Sequence, residues 1–427
     1  MDIASLFAAG TFILAFILIA SEKINKAVIV LTGASLFMVS KVISQEKAFH
    51  EVDWNVIFLL IGMMVVVGIV KQTGLFQYVA IKLAKTAKGD PFMILLYLSI
   101  TTAVFSALVD NVTTVLILVP ITILIAVELG ISPVPFVISQ IVASNVGGTA
   151  TLIGDPPNIM IGSAAGLSFM DFIVNLTPLI IILIGVFSIF AYFAWGRKMT
   201  VTNERKARIM EFKESEFIGN RPLLIKSLIV LGLLILGFIF HGVLHLEAAT
   251  IAITGASVLM LLTGDKEMNA MFQEIEWATI FFFIGLFIMV GGLVEVGIIK
   301  ILAEKLMSMT GGNVENASYI ILWASGIFSG IIDNIPFVAT MIPMIDHFAQ
   351  DPSIGQTAIL PVWWALALGA CLGGNATLIG ASANVVSAGI SAKSGYHITF
   401  WEFTKYGIMI TFINLLVSHI YIYLRYF

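Results

Sequence analysis

An all-α polytopic membrane protein, built from two inverted repeats that each hold a re-entrant hairpin and a broken transmembrane helix, is the fold class this sequence predicts. Three observations predict it. Apolar runs close to the roughly 20 residues that cross a bilayer recur from 6–20 to 408–423. The second half of the chain repeats the first at an offset of 223 to 226 positions. Lysine and arginine sort strongly to one side of the membrane when the two halves are inserted in opposite directions.

Composition sets the frame. The chain of 427 residues is 59% hydrophobic and 11% charged, too little charge to cover a soluble surface. The longest polar stretch, 196–226, has the size of a connecting loop. A net charge of −4 argues against a nucleic-acid partner; the lipid bilayer is the partner that the composition implies. The first apolar run lacks a basic leader and a small-residue cleavage site, so it reads as a retained helix. The single cysteine, Cys371, excludes an intramolecular disulfide and any multi-cysteine metal centre.

The repeat is carried by residue types that are rare in apolar sequence. Asp53-Trp54 opens a segment with Gly62, Gly68 and Gly74, and Glu276-Trp277 opens another with Gly285, Gly291 and Gly297, 223 positions later. Asp110-Asn111 and Pro120 return at the same offset as Asp333-Asn334 and Pro343. Gly147 to Asn158 (GGTATLIGDPPN) returns as Gly373 to Asn384 (GGNATLIGASAN), identical at eight of twelve positions.

Charge decides the orientation. If each Gly-rich segment crosses once as a broken helix, every half has an odd number of crossings and the halves are inverted. Seventeen Lys and Arg then lie on the side of 196–226 and five on the other, as the positive-inside bias demands; two crossings per Gly-rich segment would give only twelve to ten. The residues from 91 to 127 would form a helix of about 55 Å, against a bilayer core of about 30 Å, so the chain reverses near Asp110-Asn111, as a re-entrant hairpin ending at mid-depth or as two full crossings with a polar surface turn; the short arms and the polar tip favour the hairpin. The expected organisation is a first repeat 1–195, with spans within 1–70, an amphipathic interfacial arm 71–90, a hairpin 91–127, a broken helix 134–166 and a last span 173–195. A linker 196–226 follows, and then a second repeat 227–427 with hairpin 316–347 and broken helix 361–390. That makes about ten spans plus two hairpins in a cell inner membrane, with the linker cytoplasmic and the N-terminus outside.

Ionisable groups at membrane depth are costly and mark function. Asp110, Asp155 and Asp333 stand out, and no lysine or arginine takes a comparable position by this reading. Helix N-capping is the alternative role for Asp110 and Asp333. Asp155-Pro156-Pro157-Asn158 behind Gly147-Gly148 stops a helix inside a span; the second copy replaces Asp-Pro-Pro by Ala381-Ser382-Ala383. The candidate substrate and ion site is therefore Asp110, Asn111, Thr113, Thr114, Gly148, Thr149, Thr151, Asp155 and Asn158 from the first half. Asp333, Asn334, Gly374, Asn375, Thr377 and Asn384 complete it from the second. Asp155 and Asp110 are the candidates for proton coupling. His241 and His245 lack an evident third metal ligand, Glu128 and Glu295 read as solvated span ends, and Cys371 reads as a small packing residue. The site calls for no cofactor beyond a transported or coupling H⁺ or Na⁺.

The stretch FSALVDNVTTVLILVP (105–120), followed by GGTATLIGDPPN, resembles the ion transporter superfamily and within it the ArsB/NhaD permease family. That resemblance spans essentially the whole chain. It implies a scaffold from the first three spans of each half, a mobile unit of hairpins and broken helices, elevator-like transport and a homodimer. With three aspartates and no basic side chain in the site, the sequence ranks proton-coupled efflux of a small inorganic solute such as arsenite first, Na⁺/H⁺ antiport second and organic anions such as citrate or a dicarboxylate third. An intramembrane aspartyl protease would need glycine where Leu152 stands. A channel on the same scaffold would differ in lacking saturable, proton-coupled flux.

Overall fold

The computed structural model describes residues 3–21, 23–264, 272–349 and 358–427, all helical or irregular with no strand among them. Residues 1 and 2, whose side of the membrane was an expectation above, lie outside that set. The first repeat runs α1 (Ile3–Ala20), α2 (Lys26–Val39), α3 (Trp54–Gln72), α4 (Leu75–Thr86), α5 (Pro91–Leu108), α6 (Asn111–Glu128), α7 (Val134–Gly148), α8 (Pro156–Ala165) and α9 (Thr177–Ala194). The second repeats the order as α10 (Arg221–Leu244), α11 (Ala248–Thr263), α12 (Trp277–Glu295), α13 (Ile298–Thr310), α14 (Val314–Ser329), α15 (Asn334–Ala349), α16 (Leu360–Gly373), α17 (Ser382–Lys393) and α18 (Phe400–Tyr426). Each element thus returns nine places later.

Eight of these helices are long and apolar enough to cross a membrane alone, α5 and α6 among them. The tally differs from ten because α2 and α11 have only 14 and 16 residues, and because each broken span is assembled from two shorter pieces. A turn the sequence reading did not anticipate follows α8, where the short helix Phe169–Asn175 bends away by 112°.

The first three spans of the two repeats interlock. α2 packs along α12 and α3 along α11, a reciprocal exchange between the halves. Glycine makes it close: a Cβ on Gly62 would lie 2.7 Å from the Ala252 carbonyl carbon, and one on the equivalent Gly285 would lie 2.9 Å from that of Val30. Small residues at such crossings let backbones approach to contact distance.

The hairpins give the inversion its structural test. Within each repeat the first hairpin arm packs on the first piece of the broken helix, α5 on α7 and α14 on α16. The second arm packs on that piece too, and also on the second piece of the other repeat's broken helix, α6 on α17 and α15 on α8. If α5, α6 and α7 occupy one half of the membrane, α8 continues into the other half. α17, beside α6, must then lie in the first half, which puts α14, α15 and α16 opposite. Parallel repeats would pair α6 with α16 instead. The repeats are inverted.

The linker covers one end of this assembly. Gly74 has φ of +80° and no room for a side chain, since a Cβ there would overlap the Phe217 carbonyl. Lys85 Nζ donates to Glu214 at 2.7 Å and to the Phe212 carbonyl at 2.9 Å. The arm α4 buries Phe76, Ala80, Ile81 and Ala84 against the hairpin and linker. Leu75, Val79 and Leu83, the apolar residues between the lysines of the arm expected at the membrane interface, are half-buried at its margin.

Candidate functional site

Each helix break is braced by an asparagine one turn beyond it. At 149–155, Asn158 Nδ2 donates to the carbonyls of Gly148 (3.3 Å), Thr149 (3.2 Å) and Thr151 (2.9 Å). At 374–381, Asn384 Nδ2 donates to those of Gly374 (2.7 Å) and Thr377 (2.9 Å). Unwound carbonyls at membrane depth have no water to accept from and need such donors. A threonine ties each break to its own hairpin tip: Thr151 Oγ1 donates to the Ala107 carbonyl, and Thr377 Oγ1 to the Gly330 carbonyl at 2.7 Å.

The hairpin tips are helix starts. Asp110 caps α6 by accepting the Thr113 amide at 2.8 Å, and Asp333 caps α15 by accepting the Ile335 amide at 3.2 Å. Capping and cavity lining are held by the same side chains. Buried amides then stitch the halves together. Asn111 Nδ2 donates to Asn145 Oδ1 at 3.1 Å, and Asn145 Nδ2 donates to Asn375 Oδ1 and Asn384 Oδ1, both at 2.9 Å. Asn334 Nδ2 reaches Asp155 Oδ2 at 3.5 Å.

Between these tips lies a cavity of about 380 Å³. The first residues of four helices line it, Asn111 of α6, Pro156 of α8, Asn334 of α15 and Ser382 of α17, so four positive dipole ends converge there. Of the residues singled out in the sequence, Asp110, Asn111, Asp155, Asp333 and Asn334 face it. Thr149, Thr151, Asn158, Gly374, Asn375, Thr377 and Asn384 stand behind that wall in the bracing network, and Gly148 contributes a braced carbonyl. Thr113 offers its amide to Asp110, and Thr114 Oγ1 is buried without a hydrogen-bond partner.

One premise of the sequence reading is corrected. A basic side chain does enter the site: Lys26 Nζ lies 3.0 Å from Asp333 Oδ2 and 2.7 Å from Ser382 Oγ, over the Phe282 ring at 4.9 Å. Glu276, which accepts from Thr279 Oγ1 at 3.0 Å, also lines the cavity. Asn145 and Ser382 were missed as well. Repeat register could have found both, since they align with Cys371 and Pro156, an exchange of polar for apolar at a break. Cys371 Sγ lies 3.5 Å from Asn158 Oδ1, the counterpart of the Asn145–Asn384 contact.

The weaker candidates have local partners. His241 Nε2 accepts the Phe169 amide at 3.0 Å, and its Nδ1 lies 3.1 Å from the Leu246 carbonyl. Glu295 pairs with Lys47 at 2.7 Å, and the Glu128 carbonyl accepts from Arg205 at 3.3 Å.

One wall of the cavity lies toward the linker face. Glu276 is two residues from Glu274, which pairs with Lys71 at 3.0 Å beside Gly74 and the linker. Toward the other face, at repeat-equivalent positions, there is a cleft of only about 40 Å³ lined by Val56, Leu152, Ile159, His241, Glu247 and Ala249.

The geometry has close company among known proteins. The model of the CitMHS family, described as citrate transporters, matches residues 16–369. An uncharacterized transporter of Mycobacterium tuberculosis is 44% identical over 99% of both chains, and the 46 kDa membrane protein of Mycobacterium leprae is 45% identical over the same shares. The P protein of Mus musculus is 31% identical over 95% of this chain and 59% of its own. The crystal structure of the Alcanivorax borkumensis YdaH transporter has the same fold, with a TM-score of 0.64 over 99% of this chain and 98% of that one at 12% identity. The chain is a multi-pass membrane transporter that belongs to the CitMHS citrate transporter family and is related to the P protein.

Proposed function

We propose that this protein is a secondary carrier that moves a small carboxylate-bearing solute together with cations, through one central site opened alternately to the two membrane faces. The observation that carries this reading is the opposite chemistry of the two repeat-related breaks. The first offers the Asp155 carboxylate and, because Pro156 and Pro157 lack N–H groups, no amide from its first two helical positions. Oxygen ligands without donors suit a proton or a hard metal cation. The second has no carboxylate of its own, the neighbouring Asp333 is paired with Lys26, and the amides of Ser382 and Ala383 carry no side-chain cap, which suits an oxyanion at a helix N-terminus. Broken-helix carriers divide anion and ion between amide and carbonyl ends in this way.

Charge balance requires the cations. Asp110, Asp155, Asp333 and Glu276 face Lys26 alone among the cavity residues, so a multivalent anion enters only with compensating positive charge. The ranking of a neutral metalloid first leaned on the absence of a basic side chain; Lys26 removes that ground, and the family's description as citrate transporters favours a carboxylate. Na⁺/H⁺ exchange is the second reading, supported by the same excess of carboxylates. The unequal cavity and cleft support alternation, with this conformation open to the linker face. That face is cytoplasmic by the lysine and arginine bias, in an inner membrane, and the elevator movement and homodimer follow the family resemblance.

Flux into proteoliposomes tests the reading. Citrate and succinate uptake that saturates and needs a proton gradient or a divalent cation is the expected result. Exchange of Na⁺ for H⁺ without carboxylate uptake would replace it by the second reading, and uptake of arsenite alone would restore the metalloid.

A further inference from the structure

Lys26 begins α2, a scaffold helix packed on α12, yet its side chain reaches across to the hairpin tip and the break of the second repeat. Its ammonium has three N–H groups. One goes to Asp333 Oδ2 and one to Ser382 Oγ, while Ser382 Oγ itself donates to Asp333 Oδ2 at 2.9 Å. The third has no oxygen or nitrogen acceptor among the described residues, only the Phe282 ring at 4.9 Å, and the side chain is 29% exposed in the cavity wall. The uncapped amides of Ser382 and Ala383 start the helix beside it. Donors lacking acceptors therefore gather at one corner of the cavity.

The repeat makes this corner one-sided. The position equivalent to Lys26 is Ala249, which lines the small cleft toward the other face, and the position equivalent to Ser382 is Pro156. When the site opens to that face, no ammonium stands where Lys26 stands here.

We propose that Lys26 reads the anionic group of the solute, and does so only while the site is open to the linker face. The inference rests on the carboxylate reading above and deepens it: one carboxylate oxygen takes the free N–H of Lys26, and the other meets the amides that start α17. Asp333 holds the ammonium in place when the site is empty, so it positions the reader and need not touch the solute.

Two measurements on the full-length protein test it. In oriented proteoliposomes, Lys26→Ala should raise the KM for citrate presented at the linker face about tenfold or more, the loss of a charged hydrogen bond. kcat and the KM at the opposite face should move much less, and Lys26→Arg should recover most of the loss. Because Lys26→Ala leaves Asp333 unpaired, the charge-balanced Lys26→Ala/Asp333→Asn variant is compared as well, and its KM should stay raised. The second measurement needs no variant. Amine acylation of the wild-type protein, read lysine by lysine by mass spectrometry, should show citrate protecting Lys26 and leaving Lys82 unchanged. A wild type that carries no carboxylate would overturn both the carboxylate reading and this inference. Citrate uptake with a recovered KM in the double variant, or with Lys26 acylated equally at saturating citrate, would overturn the role of Lys26 alone.

Discussion

The breaks at 149–155 and 374–381 share a backbone and differ in chemistry. Asn158 and Asn384 hold equivalent carbonyls, those of Gly148 and Thr151 against Gly374 and Thr377. Thr151 and Thr377 tie equivalent hairpin tips. Four positions later the copies part: Asp155-Pro156-Pro157 against Ala381-Ser382-Ala383. A duplicated bundle has kept what makes a broken helix tolerable in a membrane, and has varied what the break presents to a solute. One half offers a carboxylate and withholds amides; the other does the reverse.

The comparison breaks most directly at Asp155. If the first break is the cation half, Asp155→Asn removes its only charge and should lower coupled uptake about a hundredfold, the upper end for a hydrogen-bonded charged group. It should also flatten the pH dependence of uptake. Asp333→Asn should affect that dependence less, since Asp333 is already neutralised by Lys26 at 3.0 Å. Uptake across a pH series in proteoliposomes, with folding verified by monodispersity, compares them. An unchanged pH dependence in Asp155→Asn would leave coupling to the hairpin aspartates.

The shared brace predicts an effect of the same kind in both halves, on stability and not on coupling. Asn158→Ala strips three buried carbonyls of their donor and Asn384→Ala strips two, each orphaned group costing about 1–3 kcal/mol. Both variants should unfold several degrees lower in detergent while keeping their solute preference. A variant of full stability and altered selectivity would return that asparagine to the list of ligands.

These outcomes bear on how far the sequence could be read. The duplication was legible because Asp, Asn and Pro are scarce in apolar spans, so Asp110-Asn111 and Asp333-Asn334 mark the hairpin tips unaided. The break was legible because two prolines cannot continue a helix. Whether Asn158 faces a solute or its own backbone was not legible, because an amide serves either and only the geometry of the unwound turn decides. Lys26 was hidden for another reason. At the start of a span it reads as one more lysine at the membrane edge, and its partners, 307 and 356 residues away, come to it only when the inverted second repeat closes over the first. Asn145 looked like a polar residue in a helix until its register with Cys371 placed it at the centre.

The smallest effect is predicted where the repeats differ outside the membrane. α4 is tied to the linker by Lys85 and Glu214, whereas α13 ends in Gly311 with no such tie among the described residues. The hydrogen bond from Lys85 holds the Glu214 carboxyl below the ordinary glutamate value of 4.5. A group whose folded pKa is depressed contributes to docking above its unfolded value and loses that contribution as pH falls through the folded one. Docking of the linker should therefore be at full strength at neutral pH and loosen only below about 4.5. The loosening should be slight, because the pair lies at the surface with both side chains partly exposed and because Lys85 keeps the Phe212 carbonyl, 2.9 Å away, after Glu214 is protonated. A dye at position 215, on a Ser215→Cys, Cys371→Ser background, reports it by anisotropy. The expected trace is flat from pH 8 to 5 with a small fall beneath. Lys85→Met should lower the neutral plateau and remove the acid step, since it removes both bonds at once. If the step survives in Lys85→Met, the linker titrates through another carboxylate and the tie between α4 and Glu214 is not what holds it.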